Sequence, residues 1–182
     1  MPRLRNLAGM LVITLFAIEA GAATLKVPPH AEAKLPGTNI DSVKTLSWLN
    51  GNWTAKGAKG TVRLKAHSIG DSNYIYITFM DDKDRVSQLQ VLGFSPRVKT
   101  VISWSYDDDG GFGKSIWKQN GNDWLIKSIA AHPSGKKGMA KYKLHKIDDN
   151  TFTWKSTART FDGRRLPDTT EVTVNRDLEG GK

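Results

Sequence analysis

From Trp53 to Arg176 the chain alternates between runs of strand-forming side chains and clusters of turn residues. The spacing is about 8–12 residues, the rhythm of β-sandwiches and β-barrels. Val62, Leu64 and Ala66 alternate with Arg63, Lys65 and His67. Residues 74–79 are all aromatic or β-branched. Leu89, Val91 and Gly93 alternate with Gln88 and Gln90, and Val98, Thr100, Ile102, Trp104 and Tyr106 share one parity. Further runs follow at 112–118, 124–131, 139–147, 152–159 and 171–176. Between them lie Gly70-Asp71, Asp81-Asp82, Ser95-Pro96, 107–111, Asn120-Gly121, 133–135, 148–150 and Asp162-Gly163. Asn120-Gly121 predicts a type I′ hairpin, because both central positions of that turn need positive φ.

Turns this short force neighbouring strands to run antiparallel, so the expected topology is a meander. About ten strands in a row leave two bare edges unless the sheet closes on itself. The expected fold is therefore all-β, an up-and-down antiparallel barrel of about ten strands with one short N-terminal helix. Asp41 is placed to cap that helix, Val43, Leu46 and Leu49 follow at helical spacing, and Gly51 ends it. Gly51-Asn52-Trp53 then opens the first strand and Arg176 ends the last. A tryptophan on the first strand can plug the barrel floor while a guanidinium from the last stacks on its ring. Gly51, Trp53 and Arg176 are accordingly expected to close the barrel.

Residues 1–22 read as a signal peptide: a basic start at Arg3 and Arg5, an apolar stretch over 7–18 and a small-residue site at Ala20-Gly21-Ala22. The stretch is shorter than the ~20 apolar residues of a membrane span. An exported protein, periplasmic or secreted, is expected, beginning near Ala23. Residues 23–40, with Pro28-Pro29 and Pro36-Gly37, read as a flexible arm, 41–176 as the barrel and 177–182 as a tail. The 182-residue chain has no cysteine, which excludes thiol catalysis, cysteine–zinc sites and iron–sulfur clusters. Formal net charge is +9, or +8 without Arg3, Arg5 and Glu19. The lysines are scattered singly, which fits a solvated surface with at most weak association with anionic envelope surfaces.

The glycine-x-tryptophan after a short helix, the meander and the terminal Arg176 together resemble the lipocalin and fatty-acid-binding superfamily of barrels. Two stretches, 110–117 and 152–168, are similar to exported bacterial domains of uncharacterised function. There such a barrel often follows a SnoaL-like cone domain. Here no room for that domain is expected before Asp41, so the barrel is expected to carry the function alone.

Motifs for covalent or metal chemistry fail on inspection. Gly113-Lys114-Ser115 lacks the upstream glycine of a phosphate loop, since Asp108 stands there, and it continues as strand rather than helix. Asp107-Asp108-Asp109-Gly110 lacks the glutamate of a calcium loop, since Ile116 stands there, and reads as an acidic hairpin turn. Asp81, Asp82 and Asp84 read the same way. His30, His67, His132 and His145 show no metal-ligand spacing. A single-histidine haem site would fall to His132 or His145. No nucleophile elbow is present, and no carboxylate is legible on a strand interior. No cofactor, no metal and no specific nucleic acid is expected. The expected function is binding of a small, mostly apolar ligand in the lumen, lined by Tyr76, Trp104, Trp117, Tyr142 and Trp154. The alternatives are a small hydrolase or isomerase in the same cavity, or an envelope interaction module using a basic surface. A buried ionisable group with a shifted pKa in the cavity would favour the enzyme.

Overall fold

The computed structural model describes residues 41–57 and 60–178. The expected signal peptide, the arm with His30 and the tail residues 179–182 lie outside the described residues. A one-turn helix, α1 (Asp41–Lys44), leads through a 3-10 turn (Ser47–Leu49) into the sheet. Its strands are β1 (Gly51–Gly57), β2 (Gly60–Ile69), β3 (Tyr74–Met80), β4 (Val86–Ser95), β5 (Thr100–Asp107) and β6 (Phe112–Asn120). They continue with β7 (Asp123–Ala131), β8 (Lys137–Lys146), β9 (Thr151–Phe161), β10 (Arg164–Arg165) and β11 (Val172–Arg176).

Each strand from β1 to β9 pairs antiparallel with its successor; β9 also pairs with β11, and β11 with β1. The result is a closed, ten-stranded up-and-down barrel. The two-residue β10 is a small hairpin folded onto the end of β9. Its turn, Asp162-Gly163, has φ of 52° and 77°, the signature of a type I′ turn. At 120–123 the expectation shifts by one residue. Asn120 pairs with Asp123, so the loop is Gly121-Asn122, and among these two only Gly121 has positive φ, at 59°. That is the pattern of a type II′ turn, where glycine alone carries the left-handed conformation.

The barrel has two chemically different halves. At one end α1 and the 3-10 turn drop Val43, Leu46 and Leu49 into a core with Trp53, Ile75, Leu92, Val101, Trp117, Ile126, Leu144, Phe152 and Val174. Short connections at 70–73, 96–99, 121–122 and 147–150 surround this capped end. The far end is ringed by 81–85, 108–111, 132–136 and 162–171; on β4 to β8 the inward residues there are small or polar, while Leu64 and Phe79 face in from β2 and β3.

Strand parity differs from expectation on two strands. On β3 the inward residues are Ile75, Ile77 and Phe79, so Tyr76 faces out. On β5 they are Val101, Ser103, Ser105 and Asp107, so Trp104 and Tyr106 face out, and Val98 lies in the turn before the strand. The pairings explain why. Gln90 opposes Ser105 and Leu92 opposes Ser103, so the register of β4 fixes the inner face of β5.

Candidate functional site

Alternation delivers the site. Successive strands present Gln88 and Gln90 (β4), Ser103, Ser105 and Asp107 (β5), Gly113 and Ser115 (β6), Ser128 and Ala130 (β7), Gly138 and Ala140 (β8) and Ser156 (β9) toward the far half of the lumen. Register aligns them in rows: Ser103, Ser115, Ser128 and Ala140 in one, and Gln90, Ser105, Gly113, Ala130 and Gly138 in the next. In an eight-stranded barrel side chains roughly fill the interior; ten strands enclose more, and this half is lined by short ones. Tyr142 and Trp154 stand at the boundary with the apolar half, with ring centroids 5.4 Å apart.

Part of this polar set is satisfied internally. Gln90 Nε2 and Trp117 Nε1 each donate to Ser103 Oγ at 2.9 Å. The hydroxyls of Ser115 and Ser128 share a 2.6 Å hydrogen bond. Gln88 Nε2 donates to Asp107 Oδ1 at 2.7 Å. Four buried polar atoms on inward-facing residues are left without a hydrogen-bond partner: Ser105 Oγ, Asp107 Oδ2, Trp154 Nε1 and Ser156 Oγ. Their residues are 1%, 9%, 8% and 2% exposed. Ser156 Oγ lies beside the Tyr142 phenol without forming a well-directed bond. Its backbone, by contrast, is fully engaged: Ser156 N donates to Thr169 Oγ1 at 2.8 Å and its carbonyl accepts from Thr169 N at 2.9 Å. Each orphaned polar atom costs about 1–3 kcal/mol. All four belong to inward-facing strand positions, and unsatisfied polar atoms at such positions call for an explanation.

Asp107 corrects the expectation that strand interiors lack carboxylates. It is the last residue of β5, facing inward, and only 108–111 form the turn, closed by Asp107 N donating to Gly111 O at 2.8 Å. Burial pushes its carboxyl up to about 6; the Gln88 hydrogen bond opposes the shift, and the charges of Asp109 and Asp108 add to it. Gly111 packs tightly beside it: a Cβ there would lie 3.0 Å from Asp107 Oδ2 and 3.3 Å from the Ala131 carbonyl, so both would have to give way slightly. Burial likewise pushes the Tyr142 phenol up to about 12, against the charge of Arg159, so it stays a neutral donor.

Of the five residues expected to line the lumen, Trp117, Tyr142 and Trp154 point inward and are buried. Trp104 is 41% exposed on the outer face, and Tyr76, also outward, leans on His67 at 4.9 Å. The serines, glutamines and Asp107 escaped sequence reasoning. Their only signal was the alternation of serine with lysine and isoleucine in Lys114-Ser115-Ile116 and Lys127-Ser128-Ile129. The three described histidines do not point into the lumen. His145 Nδ1 contacts Asp123 Oδ1 at 2.6 Å on the outside, and His132 contacts Ser134 at the rim at 2.7 Å.

The closing trio sits at the capped end. Trp53 and Arg176 are direct cross-strand partners, and the guanidinium carbon lies 4.1 Å from the Trp53 ring centroid. Gly51 has φ of 123°, and a Cβ there would meet Arg176 Nη1 at 2.5 Å. The β1–β11 seam is only three residue pairs long, and a shallow groove of about 790 Å³ overlies it, lined by Thr54, Lys56, Thr173 and Asn175 among others. Among the described residues, no three histidine, aspartate or glutamate side chains cluster at metal-binding range, and no helix is long and apolar enough to cross a membrane. No family model matches the chain, and no curated protein matches it. Its functional reading therefore rests on the geometry of this barrel.

Proposed function

We propose that the chain is an exported, lipocalin-like binding protein that takes a small amphipathic molecule into the serine-lined half of its lumen. The observation that carries this is the set of four buried, unpartnered polar atoms on Ser105, Asp107, Trp154 and Ser156. They set the chemistry of the guest. Trp154 Nε1 can only donate, so the guest needs an acceptor. Asp107 Oδ2 accepts when ionised, so the guest also offers a donor. The apolar body would rest on the rings of Tyr142, Trp154 and Trp117. The mostly apolar ligand expected from sequence thus becomes one with a polar head.

The test is tryptophan emission during titration with a medium-chain alcohol, the corresponding primary amide and the parent alkane, the first two offering both a donor and an acceptor. The two polar-headed probes should shift the emission and the alkane should not. Ser105→Ala and Ser156→Ala should each weaken binding roughly two- to tenfold, the worth of one hydrogen bond. Trp104→Phe, on the outside, should leave affinity unchanged. An emission unmoved by all probes, with an environment-sensitive dye staying dark, would mean that the lumen is filled by its own side chains.

Asp107 also favours a second reading, a cavity-based enzyme. A carboxyl with a pKa near 6 inside a lumen suits general acid–base work near neutrality. Among the described residues no histidine reaches the lumen serines, so an isomerase moving a proton through Asp107 fits better than a hydrolase with a serine nucleophile. Exchange of the α-protons of a simple ketone with solvent deuterium that survives Asp107→Asn would exclude this role for the carboxyl.

A further inference from the structure

The outer face of β5–β8 carries a pattern that the lumen does not explain. Cross-strand register lays it out in four rows: Tyr106, Phe112, Ala131 and Lys137; Trp104, Lys114, Ile129 and Met139; Ile102, Ile116, Lys127 and Lys141; and Lys118, Leu125 and Lys143. Apolar and lysine side chains interleave through the whole face. Trp104, Tyr106, Phe112, Ile116, Leu125, Ile129 and Met139 are between 38% and 52% exposed. Seven large apolar side chains exposed on one face, interleaved with lysines, mark an interaction surface. The outward acid on these four strands is Asp123, and it is already bonded to Lys143 at 2.9 Å and to His145 at 2.6 Å.

We propose that this face docks on an anionic lipid surface. Lysines here would meet the headgroups while Trp104, Ile116, Ile129 and Met139 enter the acyl boundary between them. Charge selects this occupant over a second copy, since pairing two such faces would oppose lysine to lysine. The interleaved isoleucines, leucine and methionine select lipid over a nucleic acid, which has no hydrocarbon for them to enter. The lysines also set the depth. Lys114, Lys127 and Lys141 sit mid-strand, and a lysine at a bilayer midplane costs roughly 2–4 kcal/mol, so the barrel lies on the membrane and does not span it. Docking is independent of whether the lumen holds a ligand.

The test uses the protein as isolated from its host and vesicles of phosphatidylcholine with or without phosphatidylglycerol. Binding is expected for the anionic vesicles and should fall with salt. Lys127→Gln and Lys141→Gln should each weaken it roughly fivefold, the worth of one lysine near such a surface (~1 kcal/mol). Lys65→Gln, on β2 across the barrel, should leave it unchanged. Phosphatidylglycerol with brominated acyl chains should quench the wild type, and the quenching should disappear in Trp104→Tyr although that variant still binds. Equal affinity for neutral vesicles, equal affinity of the lysine variants or unquenched Trp104 would each overturn the proposal. So would a stable dimer that buries Trp104, or heparin binding that outcompetes the anionic vesicles and is indifferent to Ile116→Ser and Ile129→Ser.

Discussion

Trp53→Ala is expected to lower the unfolding free energy by roughly 3–5 kcal/mol, the range for truncating a large buried aromatic. Trp53 is 1% exposed and packs edge-on against Trp48 at 5.9 Å and Phe152 at 5.0 Å, with Arg176 on its other side. Its Nε1 donates to Leu49 O at 2.6 Å, so truncation also frees a carbonyl of the capping turn. Arg176→Ala should cost roughly 2–4 kcal/mol, since charge-assisted hydrogen bonds contribute more than neutral ones. Its guanidinium donates to Trp48 O at 2.8 Å, Asn50 O at 2.6 Å and Asp149 O at 2.6 Å. One side chain thus ties the capping turn and the β8–β9 loop to the shortest seam of the barrel. Arg176→Lys should recover little, because an ammonium cannot fork to three carbonyls and stack at once. The double variant Trp53→Ala/Arg176→Ala should lose less than the two singles together, because each residue holds the other's partners in place. Urea unfolding of the four proteins measures this. Strict additivity would mean that the pair does not act as a unit in closing the barrel.

The same residues show what a sequence can and cannot disclose. Strand positions, the meander and its closure were legible, because turn residues punctuate the chain and Gly51-Asn52-Trp53 and Arg176 sit at its two ends. Strand faces were legible only where lysine marks the outside. In β6 and β8, Lys114, Lys118, Lys141 and Lys143 face out, so Trp117 and Tyr142 had to face in. In β3 and β5 no such marker exists. Both faces of β3 are apolar or aromatic, and on β5 the outer face, with Ile102, Trp104 and Tyr106, is more apolar than the inner. Hydrophobic alternation assumes an oily inside, and here it selects the wrong face. Cross-strand register decides instead, and register is a property of neighbours that no single run carries. That inversion has two consequences in one strand: Ser105 and Asp107 reach the lumen, and Trp104 joins the exposed lysine-rich face.

Asp107→Asn is expected to make the protein more stable at pH 7, by up to about 3 kcal/mol. The sign follows from the direction of the shift. The Asp107 carboxyl titrates at about 6 when folded, against 3.8 as its ordinary value. Above 6 both states are ionised, and folding must bury the charge. As the pH falls through 6 the folded chain takes up a proton that the unfolded chain does not yet hold, so stability rises until about pH 4. Other carboxylates act in the opposite sense at lower pH. The Arg85 hydrogen bond holds Asp81 down at about 2, while Lys143 lowers Asp123 and Lys146 lowers Asp149. Their contribution is present above the ordinary carboxylate range and fades only below it. The wild type should therefore be more stable at pH 5 than at pH 7, whereas Asp107→Asn, which keeps an oxygen for Gln88 to bond, should be flat across that interval. Urea titrations at the two pH values give both slopes, and matching slopes would show that the carboxyl is solvated rather than buried in the lumen. A fold that keeps an ionisable group where an amide would be more stable retains it for what the carboxylate can do, whether holding a guest's donor or moving its proton. The two roles separate by readout on the same variant: with its oxygen held by Gln88, asparagine turns an amide NH2 toward the guest, so a holding role loses affinity, whereas a proton-moving role loses turnover.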